Sequence, residues 1–257
     1  MSDFCLTQRE GHLFLVTINR PEVMNALHPA ANRALAAAFD EFAADPELWV
    51  AIITGAGEKA FSAGNDLKNQ ASGGDMSGQP ASGFGGLTSR HDLVKPVIAA
   101  VNGVAMGGGF EIALACDLIV AAENAVFALP EPRVGLAALA GGVHRLPRQI
   151  GLKNAMGMML TGRRVSAREG QQLGFVNEVV PAGQALAGAK KWAAQILECA
   201  PLSVRASKEA AMRGLGLPLE QAMGGRYEGV AAMVKSQDFI EGPRAFAQKR
   251  PPNWQGK

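Results

Sequence analysis

The sequence has few cysteines, few histidines and no long apolar run, and each shortage excludes a class of protein. Its three cysteines and four histidines lie far apart along 257 residues, so we expect neither a disulfide framework nor a metal site. The longest weakly charged stretch, 96–110, is too short to span a bilayer. The first residues contain no basic segment followed by an apolar one. We therefore expect a cytoplasmic protein that does not associate with membranes.

The sequence also lacks an excess of charge of either sign. Its formal net charge is +2, and its basic and acidic side chains are interspersed rather than grouped. A polyanion-binding protein usually carries a basic patch or stripe. Nucleic acid is therefore not an expected partner. Aromatic residues are scarce as well, at 6% of the chain with a single tyrosine.

Glycine, in contrast, is abundant. The chain has 31 glycines without a collagen period, so they must lie at turns, at close backbone contacts or in flexible loops. The segment 69–90 is dominated by Gly, Ser, Ala and Gln, which predicts a mobile loop in which almost nothing packs. Such a loop is either a tolerated surface insertion or a lid beside a site.

The apolar pattern predicts an α/β fold. A β-branched strand covers 12–19 and ends before Pro21, and a helix with apolar residues at helical spacing covers 29–42. Continuous apolar runs at 49–54, 97–101 and 118–122 are typical of strands buried on both faces. Beyond a last strand at 176–180 the pattern is helical, over residues 185–200, 202–213, 219–234 and 240–248.

Three consecutive glycines precede a carboxylate at a predicted strand-to-helix junction. The junction lies within 97–116, and Glu111 falls in the first turn of the helix after Gly107, Gly108 and Gly109. Glycines weaken a helix by up to about 1 kcal/mol each relative to alanine. Either close backbone packing offsets that loss, or a ligand approaches the free N–H groups of the helix start, where an oxyanion would be stabilised.

A second turn and a second carboxylate complete a candidate site. The segment 61–67 ends a strand with small residues and a glycine turn, and could add another backbone donor for an oxyanion. Glu131 follows the apolar strand 126–129, and a pair with Glu111 would suit acid and base work. From the residues alone, Glu131 also fits an ordinary surface position at the end of a strand.

Successive motifs along almost the whole chain resemble the enoyl-CoA hydratase/isomerase (crotonase) family, in order. They are 19–27 (NRPEVMNAL), 61–67 (FSAGNDL), 95–103 (KPVIAAVNG), 107–111 (GGGFE), Pro130-Glu131 and 160–162 (LTG). The resemblance implies a crotonase-type ββα spiral over 1–195 with the acyl-CoA site, and a helical trimerisation region over 196–257. It also implies a homotrimer or a dimer of trimers.

The resemblance further implies a role for each matching residue. The backbone N–H groups of Asn65 and Gly108 would form the oxyanion hole, Glu111 would activate water and Glu131 would protonate the α-carbon. The family acts on coenzyme A thioesters, and coenzyme A is part of the substrate, so no separate cofactor is expected. The residues expected to contact the substrate are Met24, Ala26, Ala63, Asp66, Leu67, Lys68 and Pro130.

Retention of both glutamates favours an enoyl-CoA hydratase, a hydro-lyase. The stretches 66–68, 127–131 and 240–250 are similar in particular to the carnitinyl-CoA dehydratase branch. A trimethylammonium substrate calls for aromatic faces or a carboxylate, and the sequence offers no clear cage for it. The apolar stretch 135–142 indicates an apolar acyl chain instead. The alternatives are the dehydratase, a 3,2-enoyl-CoA isomerase and a non-catalytic acyl-CoA-binding scaffold.

Overall fold

Two sheets and a set of surrounding helices make up the computed structural model, which describes residues 4–74 and 79–257. The larger sheet has six strands in the order β1-β2-β3-β5-β7-β10, and the smaller has four in the order β4-β6-β8-β9. The strands are β1 (Cys5–Glu10), β2 (Leu13–Ile18), β3 (Val50–Gly55), β4 (Ala60–Ser62), β5 (Val97–Val101), β6 (Val104–Met106), β7 (Leu118–Ala122), β8 (Val126–Ala128), β9 (Val165–Ser166) and β10 (Glu178–Val180).

The helices up to α6 lie between the strands along the chain, and α7 to α11 follow the last strand. They are α1 (Pro29–Ala44), α2 (Leu67–Ala71), α3 (Gly108–Ala115), α4 (Gly142–Ile150), α5 (Leu152–Thr161), α6 (Ala167–Leu173), α7 (Ala185–Leu197), α8 (Pro201–Gly214), α9 (Leu219–Met223), α10 (Glu228–Met233) and α11 (Gln237–Ala247). Three times in succession, a strand of the larger sheet is followed by a strand of the smaller sheet and then a helix: β3-β4-α2, β5-β6-α3 and β7-β8-α4. This repetition is the predicted ββα spiral.

The four central strands of the larger sheet, β2, β3, β5 and β7, are buried on both faces, as their continuous apolar runs predict. Alternate side chains of one strand enter different clusters: Phe14 and Val16 pack with α1 and α3, whereas Leu13 and Leu15 face the cluster that contains α7. Small residues of α7 lie directly on the second face, namely Ala185, Ala189 and Ala193. Because both faces are covered, the parallel strand ends are held rigidly, and the turns that follow them carry the candidate site.

Most predicted elements of the body are confirmed. The strands at 97–101 and 118–122 have the predicted bounds, and those at 12–19 and 49–54 differ by at most two residues at either end. The helix predicted from residue 29 begins there, with Pro29 in its first turn. The strand expected to end at the start of 61–67 is confirmed as β4, whereas β6 and the exposed strand β1 were not predicted, because β6 has only three residues and β1 has no continuous apolar run.

Two predictions are wrong. The helix expected over 219–234 is two helices, α9 and α10, separated around Gly224 and Gly225. The expectation that almost nothing in 69–90 packs fails for its later part, since residues 84–86 form a 3-10 helix and residues 85–88 are buried. Residues 75–78 of that segment lie outside the described residues. No helix in the described part of the chain is long and apolar enough to cross a membrane.

Two helical glycines give opposite expectations for substitution by alanine. A Cβ at Gly109 in α3 would overlap the carbonyl oxygen of Ser62, whereas a Cβ at Gly157 in α5 would meet nothing within 4 Å. We expect Gly109→Ala to lower the free energy of unfolding by about 1–3 kcal/mol, because backbone must move. The control Gly157→Ala should raise it by about 0.5–1 kcal/mol. Equal effects in urea titrations would contradict the close approach at Gly109.

Candidate active site

The first turn of α3 presents backbone N–H groups from a glycine run. Gly107 precedes the helix at φ +53°, a region that side chains other than glycine rarely adopt, and Gly108 is the first helical residue. The first N–H groups of a helix have no partner within it. The Gly108 N–H is therefore free of the helix ladder and lies at the positive end of the helix dipole.

The turn at Gly64 and Asn65 lies directly against this helix start. Gly64 has φ +89°, and a Cβ there would lie 2.9 Å from the Gly108 nitrogen. In the bridge to Leu27, the Gly64 carbonyl accepts from Leu27 N–H at 2.7 Å and Asp66 N–H donates to Leu27 at 3.0 Å. The bridge thus uses the groups on either side of Asn65, so the Asn65 N–H points away from Leu27 and takes no part in the bridge.

A buried polar network fixes this turn. The Asn25 side chain, which is fully buried, donates to the Ala60 carbonyl at 2.8 Å and accepts from the Arg20 N–H at 2.9 Å. The Ser62 hydroxyl donates to the Asn25 carbonyl at 2.8 Å and accepts from the Gly64 N–H at 3.1 Å. The turn that carries Asn65 is therefore held by hydrogen bonds that do not involve a ligand.

Glu111 is a buried carboxylate held by backbone. Its side chain lies in the first turn of α3, as predicted, and only 3% of the residue is exposed. Oε1 accepts a 2.8 Å hydrogen bond from the Gly142 N–H at the start of α4. Burial, and after it the charge of Glu131, raises the pKa of Glu111 to about 7, although the backbone donors and the charge of Arg145 act in the opposite direction. The carboxyl group can therefore gain or lose a proton near neutral pH.

Glu131 follows β8 and approaches the same glycine run. A Cβ at Gly107 would lie 3.1 Å from its Oε1. Its Oε2 is buried and has no hydrogen-bond partner among the described residues. Burial raises the pKa of this carboxyl group as well. Glu131 is thus a second carboxyl group with an unused oxygen next to the first turn of α3, and not an ordinary surface residue.

The residues expected to contact substrate lie around these turns. The Ala63 N–H donates to the Met24 carbonyl at 2.9 Å, and Pro130 directly precedes Glu131. Ala26 is buried, and its carbonyl accepts from the Arg20 guanidinium. Leu67 and Lys68 are exposed at the start of α2. The Asp66 carboxylate forms an ion pair with Arg20, at 3.0 Å, and accepts a hydrogen bond from the Asn69 N–H.

Sequence reasoning missed two residues beside the site. A Cβ at Gly108 would lie 2.8 Å from Cζ of Phe84, so this ring covers the start of α3. Arg145 of α4 is partly buried and acts electrostatically on Glu111. The signal for Phe84 was present, because glycines at 83, 85 and 86 surround one aromatic residue. The abundance of glycine predicted flexibility, whereas the glycines allow the backbone around Phe84 to pack closely.

The arrangement suits chemistry at an activated carbonyl group. The Gly108 N–H lies against the turn at Gly64 and Asn65, and two carboxyl groups of raised pKa lie next to the same glycine run. Within residues 4–74 and 79–257, no cluster of three or more His, Cys, Asp or Glu side chains could hold a metal ion. The raised pKa values of Glu111 and Glu131 allow either carboxyl group to be protonated closer to neutral pH than an ordinary glutamate.

Comparison with known proteins identifies the family that shares this arrangement. The family model described as enoyl-CoA hydratase/isomerase matches residues 8–257. The chain is 46% identical to carnitinyl-CoA dehydratase of Salmonella typhi, over the full length of both. Among solved structures, an enoyl-CoA hydratase from Mycobacterium tuberculosis H37Rv matches with a TM-score of 0.94 at 38% identity, and a carnitinyl-CoA hydratase from Mycobacterium avium with 0.80 at 41%, each covering both chains completely. These matches confirm the predicted crotonase fold, and the chain belongs to the enoyl-CoA hydratase/isomerase family.

Proposed function

We propose that this chain is a hydro-lyase that adds water reversibly to a trans-2-enoyl-CoA thioester and forms a 3-hydroxyacyl-CoA. The observation that carries the proposal is the pair of carboxyl groups, Glu111 and Glu131, beside the glycine run that begins α3. Coenzyme A enters as part of the substrate, and we propose no separate cofactor. Family membership supports an acyl-CoA substrate.

The thioester oxygen would accept hydrogen bonds from the N–H groups of Asn65 and Gly108. When water attacks the β-carbon, the electrons of the double bond move towards the carbonyl group, and its oxygen becomes an enolate oxyanion. Each pre-positioned donor stabilises such an oxyanion by roughly 3–4 kcal/mol more than the ground state. The turn that carries Asn65 does not have to rearrange during the reaction, because the hydrogen bonds of Asn25 and Ser62 already hold it.

The two glutamates would divide the proton transfers. Glu111, as carboxylate, takes one proton from water while the oxygen bonds to the β-carbon. Glu131, as carboxylic acid, delivers a proton to the α-carbon, and its unpartnered Oε2 is the atom free to do so. The reverse direction exchanges the roles. Because burial raises both pKa values, one proton can be retained by the pair near neutral pH.

For the acyl group we propose an uncharged aliphatic chain. The segment that links Glu131 to α4 exposes apolar side chains at Leu136 and Leu139, and Arg145 already places a positive charge near Glu111. A second candidate, dehydration of carnitinyl-CoA, is favoured by the 46% identity to a carnitinyl-CoA dehydratase. Phe84 offers one aromatic face at Gly108, whereas a quaternary-ammonium cage usually combines several.

We also propose that residues 196–257 form the trimerisation region of a trimer or dimer of trimers beside the core of 1–195. Supporting this, the C-terminal helices expose large apolar side chains, which isolated monomers rarely display together. They include Met212, Leu215, Leu219, Met223, Ile240 and Phe246. A cytoplasmic location is consistent with three cysteines that are all free.

Loss of either carboxylate should abolish most hydration. We expect Glu111→Gln and Glu131→Gln each to lower kcat by about 10²–10⁴-fold, because each removes one proton transfer. Exposed Glu58→Gln is the matched control and should retain full activity. The assay follows the ultraviolet absorbance of crotonyl-CoA, longer enoyl-CoAs and crotonobetainyl-CoA, with product masses recorded. Conversion of 3-enoyl-CoA without water uptake would indicate the isomerase, and tight binding without turnover of any thioester would indicate the scaffold.

Burial of Glu111 should make folding stability depend on pH. Its pKa of about 7 in the folded protein exceeds the ordinary 4.5, so the folded state binds the proton more tightly. The contribution of Glu111 to stability is therefore fully present below about pH 4.5 and is lost as the pH rises through about 7, a change of about 3 kcal/mol. Urea titrations at about pH 5 and pH 8 should show a larger decrease for the wild type than for Glu111→Gln. Equal decreases would show that the carboxyl group is not desolvated.

The proposed trimerisation region predicts a change of assembly when its apolar surface is charged. Sedimentation equilibrium of the full chain should give three or six copies, and Met223→Asp, at a side chain that is 79% exposed, should shift the mass towards the monomer. Leu6→Asp, at a half-exposed position of β1, serves as the control and should leave the mass unchanged. A monomeric wild type would contradict the proposal.

A further inference from the structure

The aromatic ring at the oxyanion donors belongs to a segment held from several sides. We name residues 79–90 the Phe84 segment. From α1, the buried Asn32 side chain accepts a 2.6 Å hydrogen bond from the Gly85 N–H. Arg90 donates to the Gly86 carbonyl at 2.7 Å and to the Ala36 carbonyl at 2.9 Å. The segment is therefore fixed on one side by α1.

Glycines bring this segment close to the helices beneath it. A Cβ at Gly86 would overlap the backbone of Ala36, and a Cβ at Gly85 would overlap the side chain of Ile112 in α3. Both glycines have positive φ, +66° and +61°. Their neighbour Phe84 is thereby placed over Gly108, one turn before Ile112. A shift of the segment would move the ring relative to the Gly108 N–H.

Arg145 holds the segment from the opposite side. Its Nη2 donates a 2.8 Å hydrogen bond to the carbonyl of Thr88, a residue that is only 3% exposed. The absence of a side chain at Gly141 makes this possible, since a Cβ there would overlap the guanidinium group. Arg145 lies in the same turn of α4 as Gly142, whose N–H holds Glu111. One helix turn therefore contacts both the Phe84 segment and the carboxyl group.

The charge of Arg145 also acts on Glu111. Three other titratable groups share this environment: Glu111, Glu131 and the buried thiol of Cys116. The Arg145 cation lowers the pKa of Glu111, whereas burial and the charge of Glu131 raise it. Burial lowers the pKa of Arg145 itself, and the group stays protonated at neutral pH. Its contribution is thus a fixed positive charge near the carboxylate.

We infer that Arg145 is a positioning residue, which fixes the Phe84 segment over the oxyanion donors through Thr88 and keeps a positive charge beside Glu111. The inference rests on the proposed hydration reaction. Arg145 does not touch the reacting atoms in this account; it acts through Thr88 and Phe84 on the thioester and through its field on Glu111.

Three variants separate geometry from charge. Arg145→Met removes both the contact to Thr88 and the charge, Arg145→Lys retains the charge, and Arg90→Met loosens the same segment from α1, away from Glu111. Arg145→Met should raise KM for crotonyl-CoA by about tenfold, as expected for a lost charge-assisted hydrogen bond. It should also move the acidic limb of the kcat/KM profile up by roughly 0.5–1 pH unit, because Glu111 then deprotonates at higher pH.

The control variants should separate the rise in KM from the shift of the acidic limb. Arg145→Lys and Arg90→Met should raise KM and leave the acidic limb at its wild-type position. If Arg145→Met leaves the acidic limb unchanged, or if Arg90→Met shifts KM and the acidic limb as much as Arg145→Met does, Arg145 is merely structural and the inference is wrong. If Arg145→Met does not fold, Arg145→Gln removes the charge with a polar group in place and is judged by the same criteria.

Two measurements test Arg145 independently of turnover. Calorimetry with saturated butyryl-CoA, which cannot be hydrated, should show about tenfold weaker binding for Arg145→Met. Comparison of each protein with its Glu111→Gln variant isolates the pH-dependent stability that is due to Glu111. In the Arg145→Met background, this loss of stability should occur at higher pH than in the wild type. If no enoyl-CoA is hydrated but both shifts occur, the proposed function fails and the positioning role stands. If hydration occurs and neither shift does, the positioning role fails alone.

Discussion

The close backbone contact between the Gly64 turn and the first turn of α3 is the constraint on which the rest of the site depends. A Cβ at Gly64 would lie 2.9 Å from the Gly108 nitrogen, and a Cβ at Gly109 would overlap the Ser62 carbonyl oxygen. Only glycine permits this approach. It sets the Gly64 turn against the Gly108 N–H, and Glu131 and Phe84 pack against the same three-glycine run. The helix stability that these glycines cost is therefore offset by the contacts that they allow.

Charge is the second constraint, because the site buries two carboxyl groups near one another. Their raised pKa values represent an unfavourable free energy that the fold only partly relieves. The Gly142 N–H and the Arg145 cation favour the ionised form of Glu111, and neither replaces full hydration. Stability and function thus oppose each other here, as expected where acid and base chemistry is performed at neutral pH.

Sequence patterns predicted what is local and missed what tertiary contacts decide. The strands at 97–101 and 118–122 are buried on both faces, so a continuous apolar run identified them. Glu111 was placed correctly because glycines mark the helix start, but Glu131 gained its role only through the ordered series of family motifs. The packing of Phe84 depends on the backbone of Ala36, about 50 residues away, and no local pattern encodes such a contact.

Isotope labelling tests the central claim most directly, that the site adds one water molecule across the double bond of an enoyl-CoA thioester. Crotonyl-CoA is incubated with the enzyme in deuterated, ¹⁸O-enriched water, and the product is analysed by mass spectrometry and NMR. The account predicts a 3-hydroxybutyryl-CoA with solvent oxygen on the β-carbon and one solvent deuterium on the α-carbon. A product without solvent oxygen, or release of free coenzyme A, would contradict it.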